Sequence, residues 1–88
     1  MNVVERPSPN FNERVGVAQP DILIMHYTGM QSCQAAVERL TSAEAKVSSH
    51  YTIDEDGTIY RHVPEAMRAW HAGVSSWRGA SDINSRSI

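Results

Sequence analysis

The sequence predicts an α/β fold in which a central mixed β-sheet is flanked by α-helices, and three segments of different periodicity support this prediction. Residues 22–25 form a continuous apolar run with β-branched members, which is typical of a strand buried on both faces of a sheet. Apolar residues then recur at helical spacing between residues 33 and 40. Two alternating segments, 49–53 and 58–63, follow with a turn between them. A strand, a helix and a hairpin in this order indicate a sheet with parallel and antiparallel neighbours.

The helix is predicted to be amphipathic. Its apolar positions follow the spacing i, i+3, i+4 and i+7 on one face: Cys33, Ala36, Val37 and Leu40. Ser32 directly precedes them and is a favoured N-cap, because its hydroxyl can accept a hydrogen bond from a backbone N–H of the first turn. Since one helix leaves the other face of a sheet bare, the architecture is predicted to be incomplete at its C-terminus.

The hairpin is predicted by residues 54–57, whose sequence Asp-Glu-Asp-Gly is a strong turn signal. Pro64 ends the second strand, and residues 65–70 are predicted to form a short helical turn. Residues 71–85 are rich in Gly, Ser and Asn and are predicted to be a loop. Residues 87–88 resemble the first step of another strand.

The chain divides into a lead-in and one domain. Residues 1–20 contain three prolines and a glycine with little periodicity, so they are predicted to be an irregular lead-in loop. Residues 21–88 are assigned to the N-terminal part of a single domain, truncated at its C-terminal end. Cys33 is the single cysteine, which excludes an internal disulfide.

Composition and charge exclude several classes of partner. The chain is 41% hydrophobic and 20% charged with a formal net charge of -2, so it carries no basic stripe and nucleic acid is not an expected partner. No apolar stretch approaches the roughly 20 residues of a transmembrane segment.

The N-terminus lacks the charged and apolar regions of a signal peptide, which predicts a cytoplasmic protein, or a periplasmic or secreted one if the N-terminus was trimmed.

His26 is the strongest candidate metal ligand on physical grounds. It directly follows the apolar run, and open α/β sheets place their sites at the carboxyl ends of strands. A rigid strand end also holds an imidazole at a fixed position, as a metal site requires. The alternative is a histidine that is simply hydrogen-bonded at a strand end.

The other three histidines have weaker patterns. His50 alternates with Thr52 on one strand face, which favours a structural histidine, and His62 is predicted to be a solvated or edge residue. His71 lies between Trp70 and two small residues, which suits the wall of a groove or, equally, a packed indole beside an incidental imidazole. A zinc site built from three of the histidines has the required ligand count: His26, His50 and His71.

Three stretches in this order resemble one family. They are Ile22–Thr28 (ILIMHYT), Val47–Ile59 (VSSHYTIDEDGTI) and Arg68–Ile88 (RAWHAGVSSWRGASDINSRSI). Together they resemble the N-acetylmuramoyl-L-alanine amidases related to peptidoglycan recognition proteins and to amidase-type phage lysozymes. Residues 8–14 are also similar to the opening of a bacterial branch of that family.

The resemblance implies a mixed sheet with helices and a zinc groove at one edge. The implied activity is hydrolysis, by zinc-activated water, of the amide bond between N-acetylmuramic acid and L-alanine in peptidoglycan or muropeptides. The alternative is a non-catalytic peptidoglycan-recognition module. The family's first zinc ligand matches His26, and its substrate-binding or site-bordering positions match Tyr27, His50, Trp70, His71, Ala72 and Asn84.

The chain departs from the family pattern in two places. Ser49 stands where phage-type members carry a catalytic Tyr. Recycling-type members use a Glu in a Ser-Ile-Gly-Ile-Glu strand, and this chain ends at Ile88, before that Glu. The family's remaining zinc ligands also lie further on, so we expect these 88 residues alone to be inactive and to need the C-terminal part of the domain as a partner. The resemblance leaves open whether the substrate is intact wall or anhydro-muropeptide.

Overall fold

The structure, a computed structural model, describes residues 2–73 and 76–88. Its helices are α1 (Cys33–Leu40) and α2 (Ile83–Arg86), with a 3-10 helix at Ala43–Ala45. Its strands are β1 (Val3–Glu5), β2 (Phe11–Glu13), β3 (Tyr51–Ile53), β4 (Ile59–Arg61), β5 (Met67–Ala69), β6 (Ser76–Trp77) and β7 (Ala80–Ser81). None of the helices in these ranges is long and apolar enough to cross a membrane.

The largest sheet is mixed, in the order β1-β4-β3. Strand β1 runs parallel to β4, whereas β3 and β4 form the antiparallel hairpin. Tyr60 of β4 is therefore paired with Val4 on one side and with Thr52 on the other. Helix α1 packs against β3, and α2 packs against β5. The predicted mixed sheet flanked by helices is confirmed.

The hairpin turn depends on a left-handed glycine. Gly57 has φ of 91° and donates its N–H to the carbonyl of Asp54 at 2.9 Å, while the N–H of Asp54 donates to Thr58 at 2.9 Å. A turn followed by a left-handed residue is a common three-residue connection, and glycine adopts that backbone without the steric cost of a Cβ. The predicted hairpin is confirmed.

Helix α1 begins as the sequence predicts. The hydroxyl of Ser32 accepts a hydrogen bond from the backbone N–H of Ala35 at 3.1 Å. Ala36 and Val37 are each 2% exposed, so the predicted apolar face is the face that packs on the sheet. The capping residue and the helix face are both confirmed.

The prediction of an irregular loop over residues 1–20 is wrong in two places. Strand β1 pairs with β4, and β2 pairs antiparallel with β5, with Phe11 opposite Ala69. Both strands are three residues long and have partners more than 50 positions further along the chain. Their pairing is tertiary, so the local pattern carries no sign of it.

The strand predicted at residues 22–25 is extended but is not buried on both faces. Ile22 forms a parallel bridge with Ser87, and the N–H of Ile24 donates to the carbonyl of Ile88 at 2.9 Å. Leu23 is 74% exposed and Met25 is 86% exposed, because no other described strand covers them. The segment therefore pairs along one edge, and the extended strand-like step predicted at residues 87–88 is its partner.

Two further predictions along residues 65–85 are wrong. The expected helical turn is a tight turn, closed by a hydrogen bond of 2.9 Å from the N–H of Met67 to the carbonyl of Pro64, and strand β5 then follows. The expected loop contains strands β6 and β7 and the short helix α2, while residues 74 and 75 lie outside the described part. Since β5 is stabilised by its pairing with β2, its sequence alone does not indicate a strand.

The interior is rich in polar side chains. The buried apolar residues are Ala36, Val37, Val63, Ala69 and Ile83. The buried polar residues are Ser8, Asn10, Ser48, His50, Thr52, His62, Asn84, Ser85 and Ser87. Ser48 shows how they are satisfied: its hydroxyl donates to the carbonyl of Asn10 and accepts the N–H of Trp70 at 3.0 Å. Hydrogen bonds between segments distant in sequence therefore satisfy the buried polar groups and join these segments in the interior.

Candidate functional site

His26 lies at the carboxyl end of the extended segment that pairs with residues 86–88, and it is exposed. Its Nε2 atom is 2.8 Å from Nδ1 of His71. The two rings meet edge to face, with centroids 5.0 Å apart and an interplanar angle of 80°. The structure thus brings together two histidines that are 45 positions apart in the sequence.

These two histidines border a cavity of about 400 Å³ that His50 also lines. A smaller recess of about 190 Å³ lies beside the same pair, and its lining includes Tyr27 and Arg39. The side chain of Tyr27 is largely exposed, as expected of a residue that borders a groove. Four of the residues selected from the sequence therefore line at least one of these two neighbouring recesses: His26, Tyr27, His50 and His71.

His71 is held by a hydrogen bond on each ring nitrogen. Its Nε2 is 3.0 Å from the hydroxyl oxygen of Ser87, and that hydroxyl donates to the carbonyl of Ile83 at 2.7 Å. Burial lowers the pKa of His71 to about 4, and electrostatic interactions with His26, His50 and Arg14 act in the same direction. The His71 imidazole is therefore neutral at neutral pH.

His50 is almost fully buried, at 1% exposure, and lies beside His71 with ring centroids 6.2 Å apart. Its Nε2 is 2.9 Å from the carbonyl oxygen of Met67 and 3.2 Å from Arg14. Burial lowers the pKa of His50, which favours the neutral form of the ring. Its Nδ1 is buried and has no hydrogen-bond partner among the described residues.

Asn84 fixes the loop that carries His71. Its side chain is buried, and its carbonyl oxygen accepts the backbone N–H of His71 at 3.0 Å and that of Ala72 at 2.8 Å. The sequence placed Asn84 and Ala72 at the groove. The structure shows that the buried side chain of Asn84 fixes the backbone of this loop through two hydrogen bonds.

Trp70 is hydrogen-bonded to Asn12 and Ser48. Its indole N–H donates to the side-chain oxygen of Asn12 at 3.1 Å, and its backbone N–H and carbonyl both bond to Ser48. The residues that line the two recesses around His26 do not include Trp70. Its predicted contact with substrate stays a prediction.

Arg14 is an organising residue that the histidine patterns did not identify. Its guanidinium donates to the carbonyl of Glu65 from Nε at 3.0 Å and from Nη2 at 2.8 Å. It also donates from Nη1 to the carbonyls of Ser85 at 2.9 Å and Ser87 at 3.1 Å. Burial lowers the pKa of Arg14. The single sequence signal for this residue is its place in the stretch that matches the opening of the bacterial branch.

His62 lies outside this region, and the prediction that it is a solvated or edge residue is wrong, because it is buried and follows the central strand of the sheet. It is 3% exposed, its Nδ1 is 2.7 Å from the carbonyl oxygen of Arg6, and its Nε2 is 2.7 Å from the hydroxyl of Thr52. Strand β1 lies along the outer edge of β4, and the residues that follow it cover His62. The histidine is buried because its neighbours come from the N-terminal segment, which the local pattern does not reveal.

One described residue, His26, has the chemistry and exposure of a zinc ligand. The described residues contain no group of three His, Cys, Asp or Glu side chains placed to hold a metal. His26 and His71 face each other, but Nε2 of His50 faces a carbonyl, so this arrangement does not support the three-histidine site. An exposed imidazole nitrogen is a ligand type that zinc prefers, and His26 supplies one.

The fold and this cavity define an α/β domain with a histidine site at the end of an extended segment. A profile of the N-acetylmuramoyl-L-alanine amidase family matches residues 16–88. The chain belongs to this family, as the resemblance of its three ordered stretches indicated.

Named relatives agree with this assignment. The chain is 33% identical to the 1,6-anhydro-N-acetylmuramyl-L-alanine amidase AmpD of Citrobacter freundii, over 93% of this chain and 53% of the relative. It is 38% identical to the N-acetylmuramoyl-L-alanine amidase AmiD of Escherichia coli K12, over 76% of this chain and 26% of the relative. A crystal structure of a selenomethionine AmpD derivative matches with a TM-score of 0.80 and 30% identity, over 99% of this chain and 58% of that one. The chain spans about half the length of the AmpD relatives it matches.

Proposed function

We propose that the protein containing this chain is an enzyme that hydrolyses the amide bond between N-acetylmuramic acid and L-alanine in peptidoglycan or muropeptides. The family match over residues 16–88 carries this proposal. Relatives that are 33% and 38% identical to the chain are named as amidases of this bond, which supports catalysis over a non-catalytic recognition module. Relatives of both kinds, AmpD and AmiD, are similar to the chain, so the proposal names the bond and not the source of the muropeptide.

We further propose that the enzyme uses zinc and that His26 is one of its ligands. A catalytic zinc takes three protein ligands and keeps an open position, whereas the described residues offer one suitably exposed histidine. Because the AmpD relatives are about twice as long, we propose that the remaining ligands and the general base lie in a part of the full-length protein outside these 88 residues. When bound, zinc supplies Lewis-acid chemistry, which activates water and polarises the scissile carbonyl.

In this proposal the other residues of the cavity orient the substrate. Tyr27 offers an exposed aromatic surface beside His26, and the backbone of His71 and Ala72 is fixed by Asn84. A fixed groove wall holds the lactyl amide close to the metal ligand, and such placement contributes to rate by removing the entropic cost of alignment. His50 supports this wall from the interior, because its side chain is buried.

The test is hydrolysis of a purified muropeptide by the intact protein, with products identified by mass spectrometry. The intact protein is expected to release a peptide with a free L-alanine amine, and His26→Ala is expected to reduce hydrolysis to background. Val15→Ala is the control, since Val15 is 68% exposed and is not among the residues that line the two recesses around His26. Wild-type rates in His26→Ala would remove His26 from the mechanism, and cleavage of a different bond would contradict the proposed activity.

A further inference from the structure

We propose that His71 is a positioning residue for His26: it fixes the ring and the tautomer of His26, so that His26 presents Nδ1 to a metal ion. This inference rests on the proposed function, which places zinc at His26. It follows from a series of hydrogen bonds that joins Ile83, Ser87, His71 and His26. The donor and the acceptor of each of these bonds can be assigned, starting from Ser87.

The series begins at the end of helix α2. The hydroxyl of Ser87 has one proton, and it is donated to the carbonyl of Ile83 at 2.7 Å. The contact of 3.0 Å between Ser87 and Nε2 of His71 must therefore be donated by the imidazole. A neutral imidazole carries one N–H, so Nδ1 of His71 is a hydrogen-bond acceptor.

The acceptor on His71 determines the state of His26. Nε2 of His26 lies 2.8 Å from Nδ1 of His71, which is a hydrogen-bond distance, so Nε2 carries the proton and donates it. In neutral His26 the lone pair is then on Nδ1, which makes no hydrogen bond within the described part of the chain. A histidine that binds a metal through one nitrogen commonly donates the other N–H to an orienting partner.

The orienting partner is itself rigid. Ser87 is fully buried and forms the parallel bridge with Ile22, four positions before His26. The backbone N–H of His71 is held by Asn84 at 3.0 Å. Both ends of the His26–His71 contact are thus anchored to the same pairing of residues 22–24 with residues 86–88, which fixes the exposed ring of His26.

The geometry also argues against His71 as a direct ligand. Both ring nitrogens of His71 are already engaged, Nε2 with Ser87 and Nδ1 with His26. Binding a metal through either one would break a bond of the series. His71 therefore acts through His26.

The experiment uses the intact protein and compares wild type with His71→Ala, His71→Asn and the control His62→Gln. Zinc affinity is measured by competition with a chromophoric chelator, and the His26 tautomer is read in metal-free protein from the NMR shifts of the imidazole nitrogens. His71→Ala is expected to weaken zinc binding about 10–100-fold and to mix the His26 tautomers, as loss of an orienting partner does. His71→Asn is expected to recover most of the affinity, because its amide oxygen can accept the Nε2 proton.

The control separates positioning from general destabilisation. His62 is a buried histidine outside the cavity, so His62→Gln should leave zinc affinity and the His26 tautomer unchanged. Wild-type zinc affinity in His71→Ala, or a wild-type His26 protonated on Nδ1, would overturn the inference while leaving the proposed function intact. Complete loss of zinc binding in both His71 variants would also overturn it, in favour of direct ligation. A wild-type protein that binds no zinc would instead refute the metal proposal on which the inference rests.

Discussion

The four histidines of this chain occupy four different environments. His26 is exposed, and His71 is half-buried with a hydrogen bond at each ring nitrogen. His50 is buried, and one of its ring nitrogens has no hydrogen-bond partner in the part of the chain that the structure describes. His62 is buried with both nitrogens paired. Histidine responds strongly to such differences, because its ordinary pKa lies close to neutrality. The division of roles among them is therefore a consequence of where each is packed.

Burial of His62 predicts a pH-dependent stability. Burial lowers its pKa below 6.5, and the nearby charge of Arg6 adds to this effect, whereas the hydrogen bond to the Arg6 carbonyl opposes it. Between the folded and unfolded pKa values the unfolded chain binds a proton that the folded chain does not. The free energy of unfolding is thus fully retained above about pH 6.5 and falls as the pH drops below it.

The measurement is urea unfolding of the intact wild-type protein and of His62→Gln at pH about 7.5 and about 5.5. The wild type should lose more stability than the variant on acidification, because the variant lacks the titrating group. An equal loss in both proteins would show that His62 does not contribute to the pH dependence of the free energy of unfolding.

The sequence predicts the position of an individual residue where that position depends only on the segment that contains it. The position of His26 at the end of an apolar run was visible, and the structure places it in the cavity. Arg14 is not identified by the sequence patterns and His62 is predicted wrongly, because their partners are brought by pairings that join distant parts of the chain. Asn84 was selected, but its buried contact with the loop of His71 depends on helix α2, which was not predicted.

Among the elements, α1 has the clearest local determinants. The hydroxyl of Ser32 caps its first turn, whereas Ser42, which precedes the 3-10 helix, makes no capping bond with its side chain. We expect Ser32→Ala to lower the free energy of unfolding by about 1 kcal/mol, since a backbone N–H loses its acceptor. Ser42→Ala is the matched control and should be nearly neutral. Urea unfolding of both variants measures the difference, and equal effects would rule out the cap as the cause.

The same elements show how far a pattern can predict structure. The helix and the hairpin were predicted because their signals, a cap with apolar periodicity and a turn sequence, lie within one segment. Strands β1, β2 and β5 were missed because each is three residues long and is stabilised by a partner distant in sequence. The apolar run at residues 22–25 predicted a buried strand, but Leu23 and Met25 are exposed, because no other described strand covers them.

For the whole molecule, Arg14 is the residue that joins the most distant parts. It connects the N-terminal segment to the turn at Glu65 and to the end of helix α2. Through α2 it supports Asn84 and Ser87, which hold His71. The polar interior is therefore continuous with the candidate site, and a change at Arg14 should affect the residues that line the cavity.

Arg14→Ala should lower the free energy of unfolding by at least about 2 kcal/mol, because several buried carbonyls lose a charged donor. Amide hydrogen exchange at His71 and Ala72 should become faster, since the clamp by Asn84 loosens. Arg61→Ala is the control, because its ion pair with Glu5 is exposed and should contribute less than about 1 kcal/mol. Unchanged exchange at His71 in Arg14→Ala would contradict this coupling.

The most direct test of the proposed chemistry is to remove and restore the metal in the intact protein while following hydrolysis of an N-acetylmuramoyl-L-alanyl peptide. We predict that chelation abolishes release of the L-alanyl peptide, and that activity returns in proportion to the zinc bound. His26→Ala should neither retain zinc nor recover activity. Full activity in chelated, metal-free protein would contradict the zinc-dependent amidase proposed from this fold.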